Sequence, residues 1–191
     1  MSQSPVPAAG QVSADGQSRW DGAQWAPIAA GYREPTSWTR PMQLATAAIF
    51  AVSALLNTAM TFIFVTHDNT LKALLAQNQQ YPPGTDIEDV VNTAMLITYV
   101  GTVVFGLLYL FIAAGSFLGW RWMFWIALVA FGLGGLGAFT NLALLARPSE
   151  SAYPFVSLVV DEIGGLVSLG MFIWMLTAAI RRGPWAMRKP G

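Results

Sequence analysis

Four long apolar stretches, at about 44–65, 94–117, 123–145 and 157–180, constrain this chain more than any other feature. Three of them hold no charged residue, and the fourth holds only the pair Asp161-Glu162. Each exceeds the roughly 20 residues that an α-helix needs to cross a hydrocarbon core about 30 Å thick. Backbone in lipid must satisfy its own polar groups, so these stretches are expected as helices. Composition agrees: 54% of the 191 residues are hydrophobic and 10% are charged, where soluble domains carry about a quarter charged. The expected fold class is an all-α integral membrane protein. A four-helix transmembrane bundle over 41–182 is flanked by a largely disordered polar tail at 1–40 and a basic tail at 183–191.

The same composition narrows the chemistry. There is no cysteine, which removes disulfides, thiol catalysis and thiolate metal sites. One histidine in the whole chain argues against a histidine metal centre or a serine–histidine charge system. The ten basic and ten acidic residues balance, which argues against a nucleic-acid partner. No catalytic residue, metal or cofactor is expected.

The tail holds one patterned piece, residues 13–27. Asp15-Gly16 and Asp21-Gly22 are turn dipeptides, and the second lies between Trp20 and Trp25. This pattern allows a small hairpin whose two indoles stack. The run Asp15-Gly16, Trp20-Asp21-Gly22 and Trp25 resembles a short tryptophan-pair module of unknown function found at the ends of many actinobacterial membrane proteins. The longer form of that module has a Trp-Tyr and an Asp-Pro before the shared run, where this chain has Val12-Ser13-Ala14. The resemblance covers about 15 residues and none of the helices. It implies a bacterial plasma-membrane protein with a cytoplasmic tail, and no activity.

Sidedness follows from the basic residues. If the amino terminus is inside, Arg19, Arg33, Arg40, Arg121, Arg181, Arg182, Arg188 and Lys189 face the cytoplasm, and only Lys72 and Arg147 face outward. The positive-inside rule then predicts both termini in the cytoplasm. Arg181, Arg182, Arg188 and Lys189, with Trp185 as an aromatic anchor, suit contacts to anionic lipid headgroups.

Small residues recur at helical spacing on several spans. Ala47, Ala51, Ala54, Thr58 and Thr61 form one stripe on the first span, and Gly134, Gly137, Gly165 and Ser168 are expected to pack the third span against the fourth. Gly132, Gly134 and Gly137 complete a dinucleotide-type glycine pattern. It sits in an apolar helix with no strand before it, so the phosphate-binding reading is rejected. Between the first two spans, Thr85 to Glu88 reads as a capping box that starts the second helix near Asp86.

Ionisable groups within membrane spans are costly and commonly functional, which singles out Asp161 and Glu162. Asp161 shares a helical face with Gly165 and Ser168, so it is expected to point into the bundle beside Asn141. Glu162 is expected to face headgroups or water. Asn57 and Asn141 are expected as polar contacts between helices, each contributing about 0.6–2 kcal/mol. Asp161, Glu162, Asn141 and Asn57 together form the candidate polar site. Two functions compete: a non-enzymatic accessory, scaffold or interaction subunit, and a small transporter or ion-coupled carrier using that site. The expected partners are the lipid bilayer, other membrane proteins and further copies of the chain.

Overall fold

The computed structural model describes residues 7–29, 33–76, 82, 84–145 and 155–189, with backbone alone at 76, 140, 141 and 143–145. Helices occupy the apolar stretches and overrun them: α1 (Thr39–Phe64), α3 (Ile87–Phe117), α4 (Arg121–Leu145) and α5 (Phe155–Arg182), with a shorter α2 (His67–Ala76) after α1. Four of these helices are long and apolar enough to cross a membrane, the architecture of an all-α multi-pass membrane protein. At the start of α3 the N-cap is Asp86, whose Oδ1 accepts from the Glu88 N–H at 2.9 Å. The capping box expected from Thr85 does not form there, because the Glu88 N–H it would accept is taken by Asp86, and the Thr85 hydroxyl instead donates to the Pro82 carbonyl at 2.8 Å.

The long helices pack as two antiparallel pairs, α1 with α3 and α4 with α5. Close approach needs small residues, and the α4–α5 seam supplies them. A Cβ on Gly165 would lie 2.7 Å from the Ala138 Cβ, one on Gly134 3.0 Å from the Ser168 Oγ, and one on Gly135 3.0 Å from the Leu169 Cα. Gly137 does not join this seam, since a Cβ there would meet nothing within 4 Å. The buried face of α4 runs through Phe131, Gly135 and Ala138, which turns Gly137 away from α5.

The two pairs meet mainly at one end, called the closed end below, which carries the start of α1, the α3–α4 turn and the finish of α5. Its core contains Met42, Phe50, Ile112, Phe124, Phe131 and Met175. Phe50 of α1 lies 5.4 Å from the Tyr109 ring of α3 and 4.9 Å from the Phe131 ring of α4, joining the pairs. In the α3–α4 turn, Gly119 has φ 73° and sits so close to Gln43 of α1 that a Cβ would fall 2.6 Å from its amide nitrogen.

Trp185 completes this core. Gly183 (φ 92°) turns the chain back beneath the bundle into a 3₁₀ turn (Pro184–Ala186). Trp185 is fully buried there in a left-handed backbone conformation, φ 55° and ψ 25°. Its ring meets Phe124 edge-on at 5.3 Å and its Nε1–H donates to the Trp120 carbonyl at 2.9 Å. A left-handed conformation in a bulky residue costs about 1–3 kcal/mol and persists only where packing holds it. The interfacial anchor expected at Trp185 is thus a core residue, because Gly183 reverses the chain before it.

Ahead of α1, β1 (Ser18–Trp20) and β2 (Trp25–Pro27) form an antiparallel hairpin in which Trp20 pairs directly with Trp25. The indoles meet edge to face, 5.6 Å apart at 65°, rather than stacked. Asp21 closes the turn by accepting from the backbone N–H groups of Gln24 and Ala23, and these bonds hold its carboxyl below the usual aspartate value. The expectation of a largely disordered tail therefore fails for residues 7–29. Residues 33–38 also have fixed partners, since Glu34 and Arg188 exchange backbone hydrogen bonds of 2.8 and 3.0 Å. The Arg19 guanidinium pairs with the Glu34 carboxylate and ties the hairpin to this segment.

Candidate functional site

Away from the closed end the two pairs diverge, and the gap is a cleft between α1, α3 and α5 with a volume of about 510 Å³. That is within the range of small-molecule sites, about 300–1,000 Å³. On α1 the wall runs from Ala54 to Phe64. At about 1.5 Å per residue this is about 15 Å, half the thickness of a hydrocarbon core. Tyr109 lines the deep end, where its ring also contacts Phe50, so the aromatic junction between the pairs is the floor of the cleft.

The wall is apolar with a few polar groups, and each helix contributes some for a local reason. Helical spacing puts Asn57 and Thr61 on the cleft side of α1, and Thr98 and Thr102 on the cleft side of α3. The hydroxyls of Thr61 and Thr102 meet at 3.1 Å, a polar cross-link between the two helices. Thr98 instead donates to the Ala94 carbonyl one turn back, at 2.8 Å. Gly106 allows close approach of α1, since a Cβ there would touch the Thr58 Oγ1 at 3.5 Å. From α5 come Ser157, Val160 and Asp161. Among the described residues Asp161 is the only carboxylate on the wall, and it has no hydrogen-bond or ion-pair partner.

The candidate polar site is thus divided. Asp161 and Asn57 line the same cleft from opposite helices. Glu162 lies on the other side of α5, 6% exposed, with neither carboxyl oxygen hydrogen-bonded among the described residues. The expectation that Glu162 faces headgroups or water is therefore overturned, while Asp161 faces the cleft rather than the α4–α5 seam. The buried face of α5 runs through Leu158, Glu162 and Gly165, so the residue three before Gly165 packs inward rather than the one four before it. The antiparallel register, with Ala138 against Gly165, carried one turn further sets Glu162 level with residue 141. The Asn141 side chain lies outside the described residues, and so does its expected contact with Asp161.

At the mouth of the cleft, Tyr99 donates to the Val65 carbonyl at 2.6 Å and stacks on Phe62. His67, at the start of α2, meets the Glu88 carboxylate at 2.7 Å. The hydrogen bond to Glu88, and then its charge, raise the His67 pKa above the usual histidine value. At the opposite end of the molecule, Arg181, Arg182 and Arg188 line a recess of about 530 Å³ together with Pro35, Thr36 and Ser37. Lys189 is exposed and does not line it. The part played by residues 35–37 has no signal in the sequence beyond a Thr-Ser pair just before an apolar helix.

Among the described residues no group of three or more His, Cys, Asp or Glu side chains is placed to hold a metal ion. The cleft can accept a positive charge at Asp161 and apolar surface along its walls. No protein-family model, curated protein or solved structure matches this chain.

Proposed function

We propose that this is a non-enzymatic bacterial cytoplasmic-membrane protein, an accessory or interaction subunit that works by binding, with both termini in the cytoplasm. The carrying observation is the cleft: helices apolar enough for lipid diverge around Asp161, a carboxylate without a partner among the described residues. An ionised carboxylate facing an apolar cleft is unfavourable, and a cationic ligand offsets this. The cleft reaches only about halfway along the spans, which suits a small amphipathic cation better than a whole partner helix. Orientation is supported by the eight basic residues that flank the closed end and its tails, against two elsewhere.

A second reading, a small carrier, is favoured by the division into two helix pairs joined mainly at one end. Movement of one pair against the other would expose the cleft alternately to the two sides.

Binding of the lipophilic cation tetraphenylphosphonium to the protein in nanodiscs tests the proposal. We expect saturable binding that Asp161→Asn weakens at least about tenfold, the scale of one charge-assisted contact. Equal binding by that variant removes the cleft reading. Flux of the same cation in proteoliposomes then separates the two functions: binding without flux leaves the accessory protein, and flux lost with Asp161→Asn selects the carrier.

A further inference from the structure

The recess at the closed end stands apart from the cleft and carries an inference of its own. Three guanidinium groups converge there from two places in the chain, Arg181 and Arg182 at the finish of α5 and Arg188 beyond the 3₁₀ turn. Like charges do not gather without something to offset them. Arg188 lies 3.6 Å from the Glu34 carboxylate, which is shared with Arg19. Arg182 has no acidic partner among the described residues. It stacks over the Trp38 ring at 4.6 Å and reaches the Thr36 Oγ1 at 3.4 Å, so its fork is held in place. Arg181 is exposed and likewise has no acidic partner among the described residues. The hydroxyl side of the recess is fixed too, because Thr36 donates to the Ala186 carbonyl at 2.8 Å.

We infer that this recess binds a phosphate group, with Arg181 and Arg182 as its principal ligands and Ser37 as a hydroxyl donor. Guanidinium forks match phosphate oxygens in pairs, which a lysine cannot do. The position favours a lipid headgroup as the source, since α5 leaves its apolar stretch at Arg181 and phosphates of the bilayer lie at that level. A bound phosphate also bridges two parts of the chain, the segment before α1 and the segment after α5. Those parts are already joined by the Glu34–Arg188 backbone pair.

The test is thermal unfolding of the full chain in dodecyl maltoside micelles, which hold no phosphate, with phosphatidylglycerol or inorganic phosphate added in turn. Phosphatidylglycerol is expected to raise the Tm of the wild-type protein. Arg181→Gln should weaken the apparent affinity about tenfold, and Arg181→Gln with Arg182→Gln further, as loss of charge-assisted hydrogen bonds requires. Arg181 is exposed and makes no hydrogen bond, ion pair or ring contact with another described side chain, so the single variant isolates binding from folding if the double variant fails to fold. A Tm rise with inorganic phosphate alone assigns the recess to free phosphate, and a rise with the lipid alone assigns it to headgroups. Lys189→Gln removes the same charge outside the recess and is expected to change little. An equal loss with Lys189→Gln, or no response to either phosphate source, overturns the inference.

Discussion

The two ends of this bundle are built from the same helices and behave as different materials. At the closed end, large side chains from α1, α3, α4 and the 3₁₀ turn interlock around Phe124 and Trp185, both fully buried. At the open end the pairs part, and threonines, Asn57 and Asp161 line the gap. At the closed end the Trp185 N–H is held by the Trp120 carbonyl, while the buried Ser116 hydroxyl has no partner among the described residues. The open end leaves Asp161 without a partner among the described residues.

That contrast ranks the effects of substitution. Phe124→Ala removes a ring from the closed core and should cost about 3–5 kcal/mol, whereas Phe105→Ala on the cleft wall should stay within about 0.5 kcal/mol. Steric trapping or denaturant titration in detergent measures both, and equal costs would erase the distinction between the ends. Next come the glycines of the α4–α5 pair. Gly165→Leu must displace Ala138 and should cost about 1–3 kcal/mol, while Gly137→Leu, with open space at its Cβ, should cost almost nothing. A destabilising Gly137→Leu would place a helix on a face that the structure leaves open.

The smallest effect concerns His67 and Glu88 at the mouth of the cleft, whose side chains are 40% and 63% exposed. The raised pKa means that the pair's contribution is complete below the usual histidine value and fades as pH climbs through the raised one. NMR titration of the His67 imidazole should show a midpoint above the usual value that falls in Glu88→Gln. An unchanged midpoint in that variant would show that the two groups do not interact in solution.

Much of the fold could be read from residues alone, and the limits are instructive. The spans announce themselves because lipid tolerates few alternatives to an apolar helix. The hairpin follows from Asp21-Gly22 between two tryptophans. Spacing does not decide which of two adjacent acids points inward. Asp161 is four residues and Glu162 three residues before Gly165, and both spacings share a helical face. Only the placement of Ala138 against Gly165 resolves the choice, and that depends on a partner helix. The cleft was equally hidden, because the divergence of two helix pairs is a property of their contacts at one end. Arg182 and Thr36 meet at 3.4 Å across most of the sequence, for the same reason.

Trp185 has a consequence for how the molecule is made. It follows all four spans in the chain, yet it fills the centre of the closed end beside Phe124. While a ribosome is still adding α5, the earlier helices already lie in the membrane with that centre vacant. The strained turn at Trp185 can form only after Gly183 has emerged and the vacancy exists to receive the indole. The closed end is therefore completed only once residues 183–186 follow α5, and a chain that lacks them leaves an apolar socket unfilled beside Phe124.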